Sequence, residues 1–181
     1  MIYMFLAEGF EEVEALAPLD LLRRAALSVT TVGVGSKTVV GSHGIPVVAD
    51  ITDDSLCLTA SPIEAVILPG GMPGTLNLDA SLTVHAAIAA AVNCGAVIAA
   101  ICAAPMILGK KGLLEGKEAT CYPGFEKHLK GARISDKKAV RDGSVITAKG
   151  MGVATEFGLV LIEALKNADT AASIKSAIMA D

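Results

Sequence analysis

Tryptophan is absent from this chain, and aromatic residues make up only 3% of its 181 positions. The core must therefore be aliphatic, built from Ala, Val, Ile and Leu. Cysteine is also scarce: four residues, Cys57, Cys94, Cys102 and Cys121, are too few to staple a domain of this size. No Cys-x-x-Cys pair occurs, and no His/Cys cluster has zinc-ligand spacing, so a structural metal is not expected. Positive charge is in deficit, with 15 Lys+Arg against 19 Asp+Glu and a net charge of -4. That argues against nucleic acid as the main partner, because phosphate binding needs a basic excess. The start lacks a basic n-region and runs into Glu8, Glu11, Glu12 and Glu14, unlike a signal peptide. Reduced thiols and a cytoplasmic location are the expectation.

Nucleotide fingerprints are incomplete. Gly33-Val34-Gly35 has no third glycine at the required place, and Gly35-Ser36-Lys37-Thr38 lacks the Gly-Lys junction and a following helix. Charge is missing altogether from residues 86–109, a stretch long enough to span a bilayer. Asn93-Cys94-Gly95 and Pro105 interrupt it with turn chemistry, so it reads as helix, strand and helix buried in protein, not as a membrane span.

What is present is hydrophobic mass, 52% of the chain, with no linker, repeat or low-complexity segment to divide it. One domain covering 1–181 follows. Strands are expected at 2–7, 28–34, 65–68 and 96–101, with a short one at 118–121. Helices are expected at 11–26 (with Pro18 inside the pattern), 81–92, 104–111, 153–165 and 170–179. Glycines and Pro46 between short valine runs suggest a hairpin in 35–50, and Asp142-Gly143 suggests another between 139–141 and 145–148. A short polar loop with Pro73 and Gly74 is expected between Pro69-Gly70-Gly71 and the helix at 81–92. Continuously apolar strands alternating with helices imply an α/β fold: an open, mostly parallel sheet covered by helices on both faces. Sites in such folds lie at the carboxyl ends of strands, here 7–14, 69–74 and 101–104.

Cys102 follows a strand directly and precedes the small residues Ala103 and Ala104. This is the pattern of a nucleophile elbow, where small neighbours let the backbone crowd into a sharp turn. Most free cysteines are merely small buried hydrophobes. Here, backbone N–H groups and a helix N-terminus are expected to lower the thiol pKa and make Cys102 the first thiol alkylated. Gly70 and Gly71 end a neighbouring strand and could offer N–H donors to an oxyanion. A carboxylate turned inward from Glu8, Glu11, Glu12 and Glu14 would be desolvated, with a raised pKa, and could share a proton with the thiol. The residues alone do not choose among the four. His85 and His128 are read as helical, surface or core residues rather than catalysts, and His43 lies in the first hairpin, outside the expected site of its own chain.

Ala7-Glu8-Gly9-Phe10-Glu11-Glu12-Val13-Glu14, Leu68-Pro69-Gly70-Gly71 and Ala99-Ala100-Ile101-Cys102-Ala103-Ala104-Pro105, in that order, resemble the ThiJ/PfpI superfamily and its DJ-one/YajL-like branch. Leu22-Arg23-Arg24-Ala25, Ser42-His43-Gly44 and Lys149-Gly150-Met151-Gly152 fit as well, so the resemblance spans nearly the whole chain. It implies a flavodoxin-like three-layer fold, with Cys102 as an oxidation-prone nucleophile and Glu14 as the acid on its sulfur. It also implies oxyanion-type donors from Gly70, Gly71 and Ala103, and a homodimer in which Arg24 and His43 approach the partner's site. Many members carry arginine in place of His43, and histidine where this chain has Tyr122 before Pro123. The usual Cys-His-Glu triad is therefore missing. Tyr122 can assist as a hydrogen-bond donor but is a poor base near neutrality.

The resemblance thus implies cofactor-free, cysteine-dependent glyoxalase or deglycase chemistry on methylglyoxal-type dicarbonyls or their early protein and nucleotide adducts. Its rival is a non-enzymatic peroxide-sensing redox protein or chaperone. The missing histidine disfavours an amidotransferase or peptidase.

Overall fold

The computed structural model describes residues 1–180. Its centre is a seven-stranded sheet. Strand β1 (Ile2–Leu6) is the hub, paired in parallel with β2 (Val29–Gly33) on one side and with β6 (Ala65–Leu68) on the other. Beyond β6 lie β7 (Val97–Ile101) and β11 (Val145–Ala148), both parallel. Strand β10 (Ala139–Asp142) closes that edge antiparallel to β11. The other edge is β5 (Ile51–Thr52), too short to show any hydrophobic period. The five central strands run β2-β1-β6-β7-β11, the 2-1-3-4-5 order of flavodoxin-like sheets, with the switch in winding direction between β1 and β6.

Alternation along the strands divides the core into two layers. Ile2, Met4 and Leu6 join Ala99 and Ile101 under helices α1 (Glu12–Arg24), α5 (Ala154–Leu165) and α6 (Ala168–Ala177). Tyr3, Phe5 and Ala7 join Ile98 and Ala100 under α2 (Gly74–Ala80), α3 (Leu82–Cys94) and α4 (Pro105–Lys110). Helix α3 buries Val84, Ala87, Ile88 and Ala91, a single stripe at helical spacing. Removing a Val or Ile side chain from water is worth about 1.5–3 kcal/mol, so this contact, more than alanine propensity, holds the helix in place.

Helix α1 runs unbroken through Pro18. Helix α5 packs closely against it because Gly158 has no side chain: a Cβ there would stand 3.1 Å from the Pro18 Cα. Strands β3 (Thr38–Val40) and β4 (Pro46–Val48) form the first expected hairpin, outside the main sheet. Gly143 and Ser144 turn the second, between β10 and β11. Strands β8 (Glu118–Ala119) and β9 (Arg133–Ile134) make a two-residue parallel ladder.

One expectation fails locally. The polar loop expected between Gly71 and the helix at 81 instead holds α2, which begins at Gly74, where a Cβ would lie 2.5 Å from the Phe10 backbone. The uncharged 86–109 stretch is divided among α3, β7 and α4. Among the described residues no single helix is long and apolar enough to cross a membrane; α2 and α3 meet at a 74° break.

Candidate active site around Cys102

Backbone segments after β1, β6, β7 and β11 converge beside the switch point. Cys102 leaves β7 with φ 65, the left-handed region that non-glycine residues seldom adopt. Such a conformation costs on the order of 1–3 kcal/mol and needs surrounding contacts to hold it. Two hydrogen bonds provide them. The Cys102 N–H donates to the Ala148 carbonyl at 2.9 Å, and its own carbonyl accepts from the Tyr122 N–H at 2.8 Å. The elbow expected from the small residues is present, although α4 behind it is only six residues long.

Glu14, on the first turn of α1, is 1% exposed. Its Oε2 accepts from the Gly70 N–H at 3.0 Å, while the Gly70 carbonyl accepts from the Glu11 N–H at 2.9 Å. The Met151 N–H also reaches the Glu14 carboxyl, and the carboxyl shares a hydrogen bond with the Cys102 thiol. Gly70 makes this closeness feasible, since a Cβ there would lie 2.5 Å from both the Cys102 Cβ and Glu14 Oε2. The N–H groups of Gly71 and Ala103 lie against the sulfur and favour its thiolate. Gly70 was expected among the oxyanion donors; its N–H is instead spent on Glu14.

Burial pushes the Glu14 carboxyl up to about 7, only partly opposed by its hydrogen bonds to Cys102, Gly70 and Met151. Burial, followed by the charge on Glu14, pushes the Cys102 thiol up to about 12, against the pull of the Gly71 and Ala103 amides. The expected lowering of the thiol pKa is therefore corrected. The donors are in place, but desolvation and an adjacent carboxylate outweigh them. Between about 7 and about 12 the pair holds one proton between them. Ease of alkylation does not single out Cys102 either. Cys57 is exposed, and hydrogen bonds from Thr59 lower its thiol pKa.

The other three glutamates are placed differently. Glu8 accepts from the Val40 N–H at 3.1 Å, and Glu11 caps α1 by accepting from the Glu14 N–H at 2.7 Å. Glu12 is buried and holds the hairpin turn, accepting from the His43 N–H at 2.8 Å and pairing with His43 Nδ1 at 2.8 Å. Burial pushes Glu12 up, but the His43 ring and the surrounding N–H donors outweigh it and hold the carboxyl at about 2. Glu12 in turn raises the His43 pKa above its usual value. Ligand atoms of Glu11, Glu12 and His43 lie within 4.8 Å of one another. Their oxygens already serve the cap and the turn, so the cluster reads as structural.

Tyr122 is half exposed beside the elbow, and its ring lies over Gly150. His85 is engaged with the Asp79 carbonyl at 2.7 Å and His128 packs on Phe125, so neither serves the Cys102 pair. Arg24 pairs with Asp20 at the far end of α1, about 15 Å along the axis from Glu14 at 1.5 Å per residue. Within the chain, then, the fold gathers Cys102, Glu14, Gly70, Gly71, Ala103 and Tyr122, but not Arg24. Residue reasoning missed the Met151 N–H on Glu14 and the Glu12 clamp. Only the Lys149-Gly150-Met151-Gly152 segment had hinted at the first. Open grooves of about 590 Å³ between α5 and α6 and about 640 Å³ beside the ends of β1 and β2 are lined by other residues. The site is marked by its chemistry rather than by cavity volume.

Residues 1–164 match the DJ-1/PfpI family. Protein dj-1beta of Drosophila melanogaster is 38% identical over 166 residues, covering 90% of this chain and 87% of that protein. The glutathione-independent glyoxalase DJR-1.2 of Caenorhabditis elegans is 29% identical, covering 92% and 89%. The solved structure of oxidized Toxoplasma gondii DJ-1 superposes with a TM-score of 0.93 at 30% identity, covering 98% of this chain and 97% of that one. On fold, site and sequence together, this chain belongs to the DJ-1/PfpI family.

Proposed function

We propose that the chain converts α-oxoaldehydes such as methylglyoxal, or their early adducts with amines and thiols, into 2-hydroxy acids, with Cys102 as nucleophile, Glu14 as proton shuttle and no cofactor. The observation that carries this reading is a buried carboxyl, raised to about 7, in hydrogen-bond contact with an elbow thiol. The Caenorhabditis elegans relative described as a glyoxalase supports it.

The steps balance without an external oxidant or reductant. Sγ adds to the aldehyde carbon as the Glu14 carboxylate takes the thiol proton. Glu14 then returns that proton to the new alkoxide, which closes a hemithioacetal. Ionised again, Glu14 removes the remaining hydrogen from the same carbon, and solvent protonates the neighbouring carbonyl oxygen to give an enediol. Protonation at the former ketone carbon, with loss of the enediol proton on the sulfur-bearing side, leaves a thioester on Cys102. Water cleaves it to the 2-hydroxy acid and restores the thiol. One carbon is oxidised, its neighbour is reduced and one water is consumed. Tyr122 positions substrate as a hydrogen-bond donor, not as the base.

The test is lactate formation from methylglyoxal by purified protein without glutathione. Cys102→Ser is expected to abolish it. Full turnover in that variant would remove Cys102 from the chemistry.

A second reading uses the same sulfur as a peroxide sensor, favoured by the oxidized Toxoplasma gondii relative. One peroxide converts the thiol to a sulfenic acid and water, and a second yields the sulfinate, held by protonated Glu14 and the Gly71 and Ala103 amides. Peroxide-dependent oxygen addition at Cys102 without dicarbonyl turnover would select this reading.

We further propose a homodimer. Negative charge on the sulfur calls for a cation, and Arg24 is out of reach within its own subunit, so a partner's Arg24 and His43 are the candidates. Val13, Ile45, Val48 and Met151 are 43%, 52%, 67% and 53% exposed, apolar side chains that a second copy would cover. Sedimentation at micromolar concentration should give a dimer, and a monomer would overturn this assembly.

A further inference from the structure

Of the six aromatic residues, Phe5, Phe10, Phe157 and Tyr3 are buried and Phe125 is half-buried. Tyr122 alone is exposed, at 50%, and it stands at the mouth of the Cys102 site. In a chain this poor in rings, the exposed one is on the chemistry.

The ring is held there. Its backbone N–H is tied to the Cys102 carbonyl at 2.8 Å. Phe125 meets it edge-on, with ring centroids 6.4 Å apart and planes at 81°. On the inner side it lies over Gly150: a Cβ on that glycine would be 3.2 Å from Tyr122 Cδ2 and 3.7 Å from Glu14 Oε1. The Gly150 backbone is extended, at φ 164, so its conformation does not require glycine. What the missing side chain provides is room between the ring and the Glu14 carboxyl.

We propose that Tyr122 is a specificity-determining residue, an aromatic wall that favours α-oxoaldehydes carrying an aryl or bulky apolar substituent over methylglyoxal and glyoxal. The proposal rests on the α-oxoaldehyde reading above and names the substrate class within it. With Cys102 bonded to the aldehyde carbon and Glu14 at its oxygen, the substituent on the neighbouring carbonyl projects toward the rim. A planar substituent gains offset or edge-on contact with the ring, worth on the order of tenfold in binding.

The experiment compares kcat/KM for phenylglyoxal and methylglyoxal in the wild type, Tyr122→Ala, Tyr122→Phe and Gly150→Ala. Tyr122→Ala should lower the phenylglyoxal-to-methylglyoxal ratio about tenfold, mainly through KM. Tyr122→Phe, which keeps the ring, should keep the ratio, and Gly150→Ala, which pushes the ring outward, should lower it. A parallel measurement needs no turnover. In a Cys57→Ser, Cys94→Ser background, the rates at which N-phenylmaleimide and N-methylmaleimide capture Cys102 are compared with and without Tyr122→Ala. Loss of the phenyl preference in that variant supports the wall. A maleimide ratio that does not move overturns it, whether or not dicarbonyls are turned over. Absence of any dicarbonyl turnover sinks the proposed activity instead, and the maleimide ratio still decides the wall.

Discussion

At the scale of single residues, Glu14 meets two opposed demands. Its burial makes it a base matched to neutral pH, and the same burial weakens the fold whenever it is ionised. The carboxyl titrates at about 7 in the folded protein against an ordinary 4.5. Between these values the unfolded chain releases its proton first, so stability falls as pH rises, by on the order of 3 kcal/mol once pH exceeds 7. Glu14→Gln escapes this cost. Urea melts should show it more stable than wild type by about that amount at pH 8, with the gap closing by pH 4. The same substitution removes the charge that helps hold the Cys102 thiol up, so Cys102 alkylation at pH 8 should accelerate even as turnover falls. A stability gap that does not change with pH would contradict the raised pKa. Glu14 could not be told from Glu12 by pattern, since both are buried acids on the first turn of α1. What separates them is which neighbour each meets, Gly70 and Cys102 or the His43 turn. The thiol pKa was misjudged for a related reason. Backbone donors can be anticipated from an elbow, whereas the desolvation of a sulfur depends on everything packed around it.

At the scale of elements, the start of α1 is a junction. Glu11 caps the helix, Glu12 anchors the β3–β4 turn, and the Glu11 N–H is tied to the loop after β6. The hairpin that carries His43 is thereby coupled to the element that carries Glu14. With Glu12 held at about 2, it is ionised at all working pH values, and His43 is protonated to higher pH than a free imidazole. The ring's charge-assisted contact is thus present at low pH and weakens as pH rises through the elevated His43 value. In Glu12→Gln, NMR titration of the His43 ring should return its pKa toward 6.5. An unshifted value would show that Glu12 does not set it. Elements were legible where punctuation was strong: the 65–68 strand, closed by Pro69-Gly70-Gly71, has the expected bounds. Strands β5 and β9 were missed because two residues carry no period. Helix α2 was missed altogether because Pro73-Gly74 reads as a turn, whereas Gly74 is there for lack of room against Phe10.

At the scale of the whole molecule, the winding order explains why the chemistry sits where it does. The chain leaves β1 toward β2 and later returns to place β6 and β7 on the other side, so the loops after β1, β6 and β7 open at one sheet end beside the switch point. Continuous apolar strands and the order of the helices made that architecture readable in advance. Among the described residues, Glu14 is the one base in contact with the thiol. The central claim is therefore that Glu14, by its own ionisation, gates attack by Cys102. It is tested most directly by the pH dependence of kcat/KM for glutathione-free lactate formation from methylglyoxal in the wild type and Glu14→Gln. The account predicts a wild-type rate that rises through an apparent pKa near 7, and a variant that is slower throughout and has lost that limb. A wild-type rate flat across this range, or a Glu14→Gln profile superimposable on wild type, would contradict it.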